Sequence, residues 1–199
     1  VVCLNVGFNI GKSIAAFSDK LFFPVNHLEG HALSPSIEKK ISFPYLLLLI
    51  SGGHSQYLIV KGINNYKQIG TTIDDAVGEA FDKTAKILNL GYPGGPNIEK
   101  FSKLGNKDSY ILPLPIINRA GCNLSLAGLK TDVLRKSKNI KSNKERYDLA
   151  ASFQETVNKI LRKKTEVAMK QFRDETTDKS IKSFVIAGGV AANKTIRES

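Results

Sequence analysis

The sequence predicts an α/β fold, and three observations carry that prediction. Tyr45 to Ile50 is an unbroken apolar run, bounded by Pro44 and Gly52, of the length of a strand buried on both faces. Tyr147 to Phe172 places Leu149, Phe153, Val157, Ile160, Leu161, Val167 and Phe172 at helical spacing, which makes a long amphipathic helix. Ser183 to Ala187 reads as a second buried strand, and Gly188-Gly189-Val190-Ala191-Ala192-Asn193 turns the chain from it into a further helix.

Taken in order, Val1 to Phe8 is an apolar-rich start and Gly11 to Ser18 a short helix. Gly11-Lys12-Ser13 has the ending of a phosphate-binding loop. The glycine needed five residues before Gly11, with four residues between, is missing, however, because Val6 stands there and Gly7 is one place off. Leu21 to Val25 is a brief extended segment. It delivers the chain to Asn26 and a helix from His27 to about Leu33, stopped near Pro35. After the strand at 45–50, Ser51-Gly52-Gly53-His54-Ser55 and a strand at Gln56 to Val60 complete a hairpin. Its glycines leave main-chain amides open to a phosphate or carboxylate, although an ordinary turn has the same composition.

Asp74 to Leu90 is the clearest helix, with Thr72 or Asp74 as its cap and a stripe of Ala76, Val77, Ala80, Phe81, Ile87 and Leu88. Asp74 and Asp75 suit the positive end of its dipole, whereas Asp82 lies too far along for that. Tyr92-Pro93-Gly94-Gly95-Pro96 makes a stiff corner bare of large aliphatic side chains, and Asn97 is placed to cap a helix from Ile98 to Leu104. Residues 105–123 read as loop and short strand. Leu124 to Thr131 leads into a helix, and Arg135 to Arg146 is a basic run that reads as an exposed connector.

Composition sets the class. With 199 residues, 42% hydrophobic and 24% charged, the chain is long enough for one large domain or two lobes around a real core. No apolar run is long enough to span a bilayer. The net charge of +11 suits a polyanionic partner such as RNA, and lysines spread this widely also fit a lysine-rich proteome. The two cysteines, Cys3 and Cys122, match no metal or redox spacing, which points to a reducing cytosol. The start carries no leader pattern and reads like the middle of a protein.

The chemistry centres on Asn26-His27-Leu28-Glu29-Gly30-His31. On a helix, histidines four apart share a face and can share a metal, yet such a pair also occurs on plain surfaces. The third and last histidine, His54, lies in the glycine turn. Zinc peptidases place a base one residue after the first histidine. Here Glu29 follows by two, which at about 100° per residue turns it about 200° from the ligand face and argues against proteolysis.

Six stretches in order resemble the TsaD-type tRNA N6-adenosine threonylcarbamoyltransferases. They are His27 to His31, Ser51 to Ser55, Asp74 to Lys83, Tyr92 to Pro96, Gly128-Leu129-Lys130-Thr131 and Gly188 to Asn193. The resemblance implies an actin-like, two-lobed ATPase-type fold, with the remainder of the N-terminal lobe over roughly 1–70 and a helical region and the start of the C-terminal lobe over 71–199. It implies one divalent metal, iron rather than zinc, on His27 and His31. It also implies adenylate contacts from Leu49, Ile50, Ser51, Gly52, Gly53, Asp82, Gly95 and Asn193. Transfer of threonylcarbamoyl from threonylcarbamoyl-AMP to the adenosine 3′ of the anticodon follows, in tRNAs reading codons that begin with A. A paralogous TsaB-type partner and a TsaE-type small ATPase go with it, in the cytoplasm.

The family's opening Ile-Glu-Thr-Ser-Cys-Asp-like segment is absent, as is its Thr-Asp-Asn-like segment, whose aspartate is the third metal ligand. Leu124 to Ala127 also replaces a Phe-Ser-rich run. An internal fragment with a loosely held metal and exposed apolar surface is therefore expected. The competing readings are a truncated, non-catalytic actin-like module that binds nucleotide or a partner protein, and another actin-like carbamoyltransferase or sugar kinase. The histidine pair disfavours the kinase.

Overall fold

A computed structural model describes residues 2–37, 40–176 and 183–199. Four strands form one mixed sheet in the order β3-β2-β1-β4, with β1 at Tyr45–Ile50, β2 at Ser55–Gly62, β3 at Asn65–Thr71 and β4 at Phe184–Ala187. The hairpin of β1 and β2 is antiparallel, with Leu47 opposite Leu58, as the apolar run and glycine turn predict. β4 lies parallel to β1, with Leu49 beside Ala187. The strand β3 is absent from the sequence reading: Asn-Tyr-Lys-Gln-Ile-Gly-Thr is mostly polar because β3 is the exposed outer strand.

Every residue of β1 is buried, so the leucine run serves two layers at once. Leu46, Leu48 and Ile50 face the larger core, with Phe81 of α3 (Val77–Ile87), Leu129 of α5 (Ala127–Ser137) and Phe153 of α6 (Asn143–Glu175). Tyr45, Leu47 and Leu49 face a smaller cluster with Ala32 of α2 (His27–Leu33). The period-two alternation of a strand sends neighbours to opposite faces, and an unbroken apolar run is the result. The sheet takes three strands from 45–71 and its fourth from 184–187.

Several boundaries differ from expectation, each for a visible reason. The apolar start and the short helix after it are one helix, α1 (Val2–Phe17). Gly7 and Gly11 lie inside it, and glycine weakens a helical pattern by about 1 kcal/mol without breaking it. Leu4, Val6, Phe8, Ile10, Ile14 and Phe17 of α1 are exposed, as are Leu21, Phe23 and Val25 beyond it.

α3 starts at Val77, three residues later than expected, and neither Thr72 nor Asp74 caps it. Ser55 does this from β2, its Oγ accepting from Val77 N at 2.8 Å. The next helix, α4 (Gly94–Ser102), begins inside the Pro-Gly-Gly-Pro corner, so Asn97 is within it and not its cap. The basic connector is shorter than expected: α5 runs to Ser137, α6 begins at Asn143, and Ser142 caps α6 by accepting from Glu145 N. The chain ends with a 3-10 turn at Gly189–Ala192 and α7 (Lys194–Arg197).

A charged side chain also reaches the core. Lys164 of α6 is fully buried, and its ammonium donates to the carbonyls of Arg119 (2.8 Å) and Gly121 (3.1 Å), tying down the loop before α5. Burial pushes that ammonium below the usual lysine range.

Candidate functional site

α2 has only seven residues and is held by its ends. Asn26 caps it, its Oδ1 accepting from Leu28 N at 2.9 Å and Glu29 N at 3.4 Å. At the other end Ala32 is buried, and its carbonyl accepts from the Tyr45 hydroxyl at 2.7 Å, which anchors the helix to β1. The helical rise places the His27 and His31 rings together, with centroids 4.6 Å apart at 75°. Burial, and then the neighbouring His27 and His54, push His31 below its usual range, so its neutral, metal-binding form is favoured.

Glu29 points elsewhere, as its angle on the helix requires. Its Oε1 accepts from the Tyr66 hydroxyl at 2.7 Å and from Asn64 N at 3.1 Å. Burial and this carboxylate push the Tyr66 phenol up to about 12.

Two imidazoles on one metal, each bound at about 2.1 Å, bring their ring centroids about 4.5–5.2 Å apart for angles between square and tetrahedral. The observed 4.6 Å fits. The chemistry fits as well, since neutral nitrogen donors suit a divalent transition metal. Among the described residues, no group of three or more His, Cys, Asp or Glu side chains is arranged to hold a metal.

The first glycine turn brings the third histidine to the pair. The Ser51 and His54 main chains are joined by Ser51 N donating to His54 O at 2.7 Å, and His54 N donates to Ser51 Oγ at 3.0 Å. The His54 ring then lies 6.3 Å from that of His27. Gly78 of α3 packs on the turn from the other side, its N donating to Ser51 O at 3.2 Å.

Next to this turn is a cavity of about 520 Å³. Gly52 and Gly78 line it, with Asp82 of α3, Pro93 and Gly95 around the start of α4, and Gly189 and Asn193 from the second glycine turn. Residues from three distant stretches meet because β1 and β4 are parallel neighbours, which puts both glycine turns at the same edge of the sheet. Of the residues the resemblance carries to the adenylate, Gly52, Asp82, Gly95 and Asn193 line this one cavity. Leu49 and Ile50 are fully buried in β1 and lead into the turn that follows.

Two of the polar groups are partly engaged already. Asp82 Oδ1 accepts from Gly94 N at 2.8 Å, fastening α4 to α3. Asn193 is engaged at both ends of its amide: its Oδ1 accepts from Ile196 N at 3.1 Å and caps α7, while its Nδ2 donates to Gln154 Oε1 at 3.0 Å. Gln154 in turn donates to Asn158, so a buried amide chain runs back into α6.

The two acidic residues assigned to the α3 dipole work otherwise. Asp74 caps α5, accepting from Leu126 N at 2.8 Å and from Ser125 Oγ at 2.5 Å. Asp75 pairs with Lys83 at 2.7 Å and Lys130 at 2.6 Å. Sequence reasoning missed Gly78, Glu99 and Val190 as cavity residues. Gly78 left a trace as a glycine where the helix pattern asks for none, and Val190 lies within the Gly188 to Asn193 stretch, whereas Glu99 left none.

The family model described as "TsaD: tRNA N6-adenosine threonylcarbamoyltransferase" matches residues 1–199. Curated relatives bear that same name. One from Pelagibacter ubique (strain HTCC1062) is 59% identical over 198 residues, covering 100% of this chain and 55% of the relative. One from Rickettsia massiliae (strain Mtu5) is 49% identical over 195 residues, covering 97% of this chain and 57% of the relative. A third, from Sinorhizobium medicae (strain WSM419), is 44% identical over 198 residues, covering 98% and 55%. The chain thus spans a little over half the length of these relatives. Among solved structures, the (R)-2-hydroxyglutaryl-CoA dehydratase component A of Acidaminococcus fermentans aligns with a TM-score of 0.48 at 18% identity, covering 86% of this chain and 56% of that one. By the match along its whole length, this chain belongs to the TsaD family of tRNA N6-adenosine threonylcarbamoyltransferases.

Proposed function

We propose that this chain supplies the metal-binding pair and the adenylate cavity of an enzyme that transfers threonylcarbamoyl from threonylcarbamoyl-AMP to the N6 amine of the adenosine 3′ of the anticodon, in tRNAs reading codons beginning with A. One observation carries this reading: a single turn, Ser51 to His54, borders both the imidazole pair and the cavity. A metal and an adenylate would meet there, with the acyl group between them.

In the reaction, the N6 nitrogen bonds to the carbamoyl carbon, the bond from that carbon to the AMP phosphate oxygen breaks, and N6 loses a proton. His27 and His31 would hold one divalent metal, iron before zinc, which as a Lewis acid polarises the acyl group. The cavity's glycines leave amides for the phosphate, and Asp82 keeps Oδ2 for the ribose hydroxyls. The net charge of +11 favours docking of tRNA. A paralogous TsaB-type subunit, a TsaE-type ATPase and a cytoplasmic setting complete the proposal. No helix among the described residues is long and apolar enough to cross a membrane. The kinase reading is set aside by the family match.

The test is elemental analysis and calorimetry on the complete gene product and on a His27→Ala, His31→Ala double variant, followed by mass spectrometry of tRNA incubated with threonylcarbamoyl-AMP and the partner proteins. Stoichiometric metal that the double variant loses, together with modified adenosine, supports the reading. A folded protein that binds neither metal nor adenylate refutes it.

A further inference from the structure

The three histidines of the chain converge, but not equally. For His27 and His54 to bind one metal at ordinary distances, with ring centroids 6.3 Å apart, the angle at the metal would open to about 160°, far from tetrahedral. The main chain that carries His54 has little freedom to close the gap. Its N and O are both bonded to Ser51, and the next residue, Ser55, is fully buried with its hydroxyl committed to the start of α3. A methyl group on Gly78 would meet Ser51 O at 2.7 Å and Gly52 Cα at 2.8 Å, so α3 fits against the turn without slack.

The His54 ring is half-buried, and among the described residues its nitrogens make no hydrogen bond. An imidazole always has at least one N–H to donate. This one lies two residues from Gly52 in the wall of the cavity, and its ring lies beside the pair.

We infer that His54 is a positioning residue: it stays outside the metal's coordination and donates a hydrogen bond to the acyl group held between the imidazole pair and the adenylate cavity. The inference rests on the proposed acyl-adenylate reading and deepens it. His54 fixes the carbonyl that the incoming amine attacks, and the pair holds the metal without it.

The experiment uses the complete gene product and His54→Ala, His54→Gln, His54→Leu and His31→Ala variants. Metal content is measured, and calorimetry compares AMP with a non-hydrolysable sulfamide-linked threonylcarbamoyl-adenosine analogue, so that the difference isolates the acyl group. His54→Ala and His54→Leu are expected to keep metal affinity within about three-fold and AMP affinity unchanged. They should lose about ten-fold for the analogue, the size of one hydrogen bond. His54→Gln, whose amide can donate, should recover most of that loss, and this pair of near-isosteric variants decides the matter even where alanine unfolds the turn. His31→Ala should lose the metal. Loss of metal from the His54 variants to the same degree would make His54 a ligand and overturn the inference, as would unchanged analogue affinity in His54→Leu. A parent protein that binds neither AMP nor the analogue overturns the proposed function, and the inference with it.

Discussion

Replacing Gly94 by alanine tests how the cavity wall is built. Gly94 opens α4 and is buried against α3. A Cβ there would lie 2.5 Å from Asp82 Cα, 2.7 Å from Phe81 O and 2.8 Å from Asp82 Oδ1. Carbon atoms settle about 3.5–4.0 Å apart, and the first two of these neighbours are main-chain atoms that cannot swing away. α4 would have to retreat by about 1 Å, which takes the 2.8 Å bond from Gly94 N to Asp82 Oδ1 out of range. Overpacking of this kind costs about 1–3 kcal/mol and the lost bond about 1 kcal/mol, while alanine returns up to about 1 kcal/mol of helix propensity. The net loss is about 2 kcal/mol, which for a chain of this size lowers Tm by about 4–8 °C. Gly95→Ala is the matched control, because its Cβ meets nothing within 4 Å. Thermal unfolding should show Gly95→Ala at or above the parent and Gly94→Ala well below it, and AMP binding should fall about ten-fold in Gly94→Ala as Asp82 loses its support. Equal melting of the two variants would refute the claim that close packing of α3 on α4 requires Gly94.

Other outcomes follow from single contacts. Burial pushes the Asp75 carboxyl up, but Lys130 and Lys83 outweigh this and hold it below the usual carboxylate range. Its contribution to stability is therefore full above about pH 4 and is lost as pH falls through its lower folded value, so Asp75→Asn should flatten the acid limb of a stability–pH curve. Glu29→Gln should leave metal content unchanged and bring the Tyr66 phenol down from about 12 toward its ordinary value in a spectroscopic titration; metal loss would instead make Glu29 part of the site. Asn193→Ala removes the α7 cap and the bond to Gln154, and its denaturant midpoint should reflect a loss of about 1–2 kcal/mol.

What the sequence revealed and what it hid have physical causes. The hairpin of β1 and β2, the helix α6 and the strand β4 were legible because burial imposes a period on the residues. β3 was hidden because an outer strand is under no such demand, and Gly7 and Gly11 masked the unity of α1. Asp74 and Asp75 were misassigned because their partners, Ser125 and Lys130, are about fifty residues away, and only the fold brings them near. The histidine pair was legible because helical spacing alone places it. The position of His54 beside it depends on how α2 is anchored to β1, where the Tyr45 hydroxyl meets the Ala32 carbonyl.

The glycines at and around the two turns divide by what would stand in their way, and Gly78, packed against the first turn, lines the cavity as well. Leu49 pairs with Ala187, so the residues after them, Ile50 and Gly188, are forced side by side. Gly188 has φ +96°, and a Cβ on it would collide with the Ile50 carbonyl. Its glycine is a condition for β4 to lie against β1 at all. Gly78 and Gly94 are fixed in the same way by contacts under 3 Å with neighbouring main chain. Gly52, Gly53, Gly95 and Gly189 differ, because a Cβ on any of them meets nothing within 4 Å and none has a left-handed φ. Neither packing nor conformation demands glycine there. Three of these four, Gly52, Gly95 and Gly189, line the cavity. On the proposed adenylate reading, a bare main chain at these positions lets a bulky ligand lie directly against the amides, which alanine would hinder. The fold therefore uses one set of glycines to bring the walls together and another to leave the space between them open.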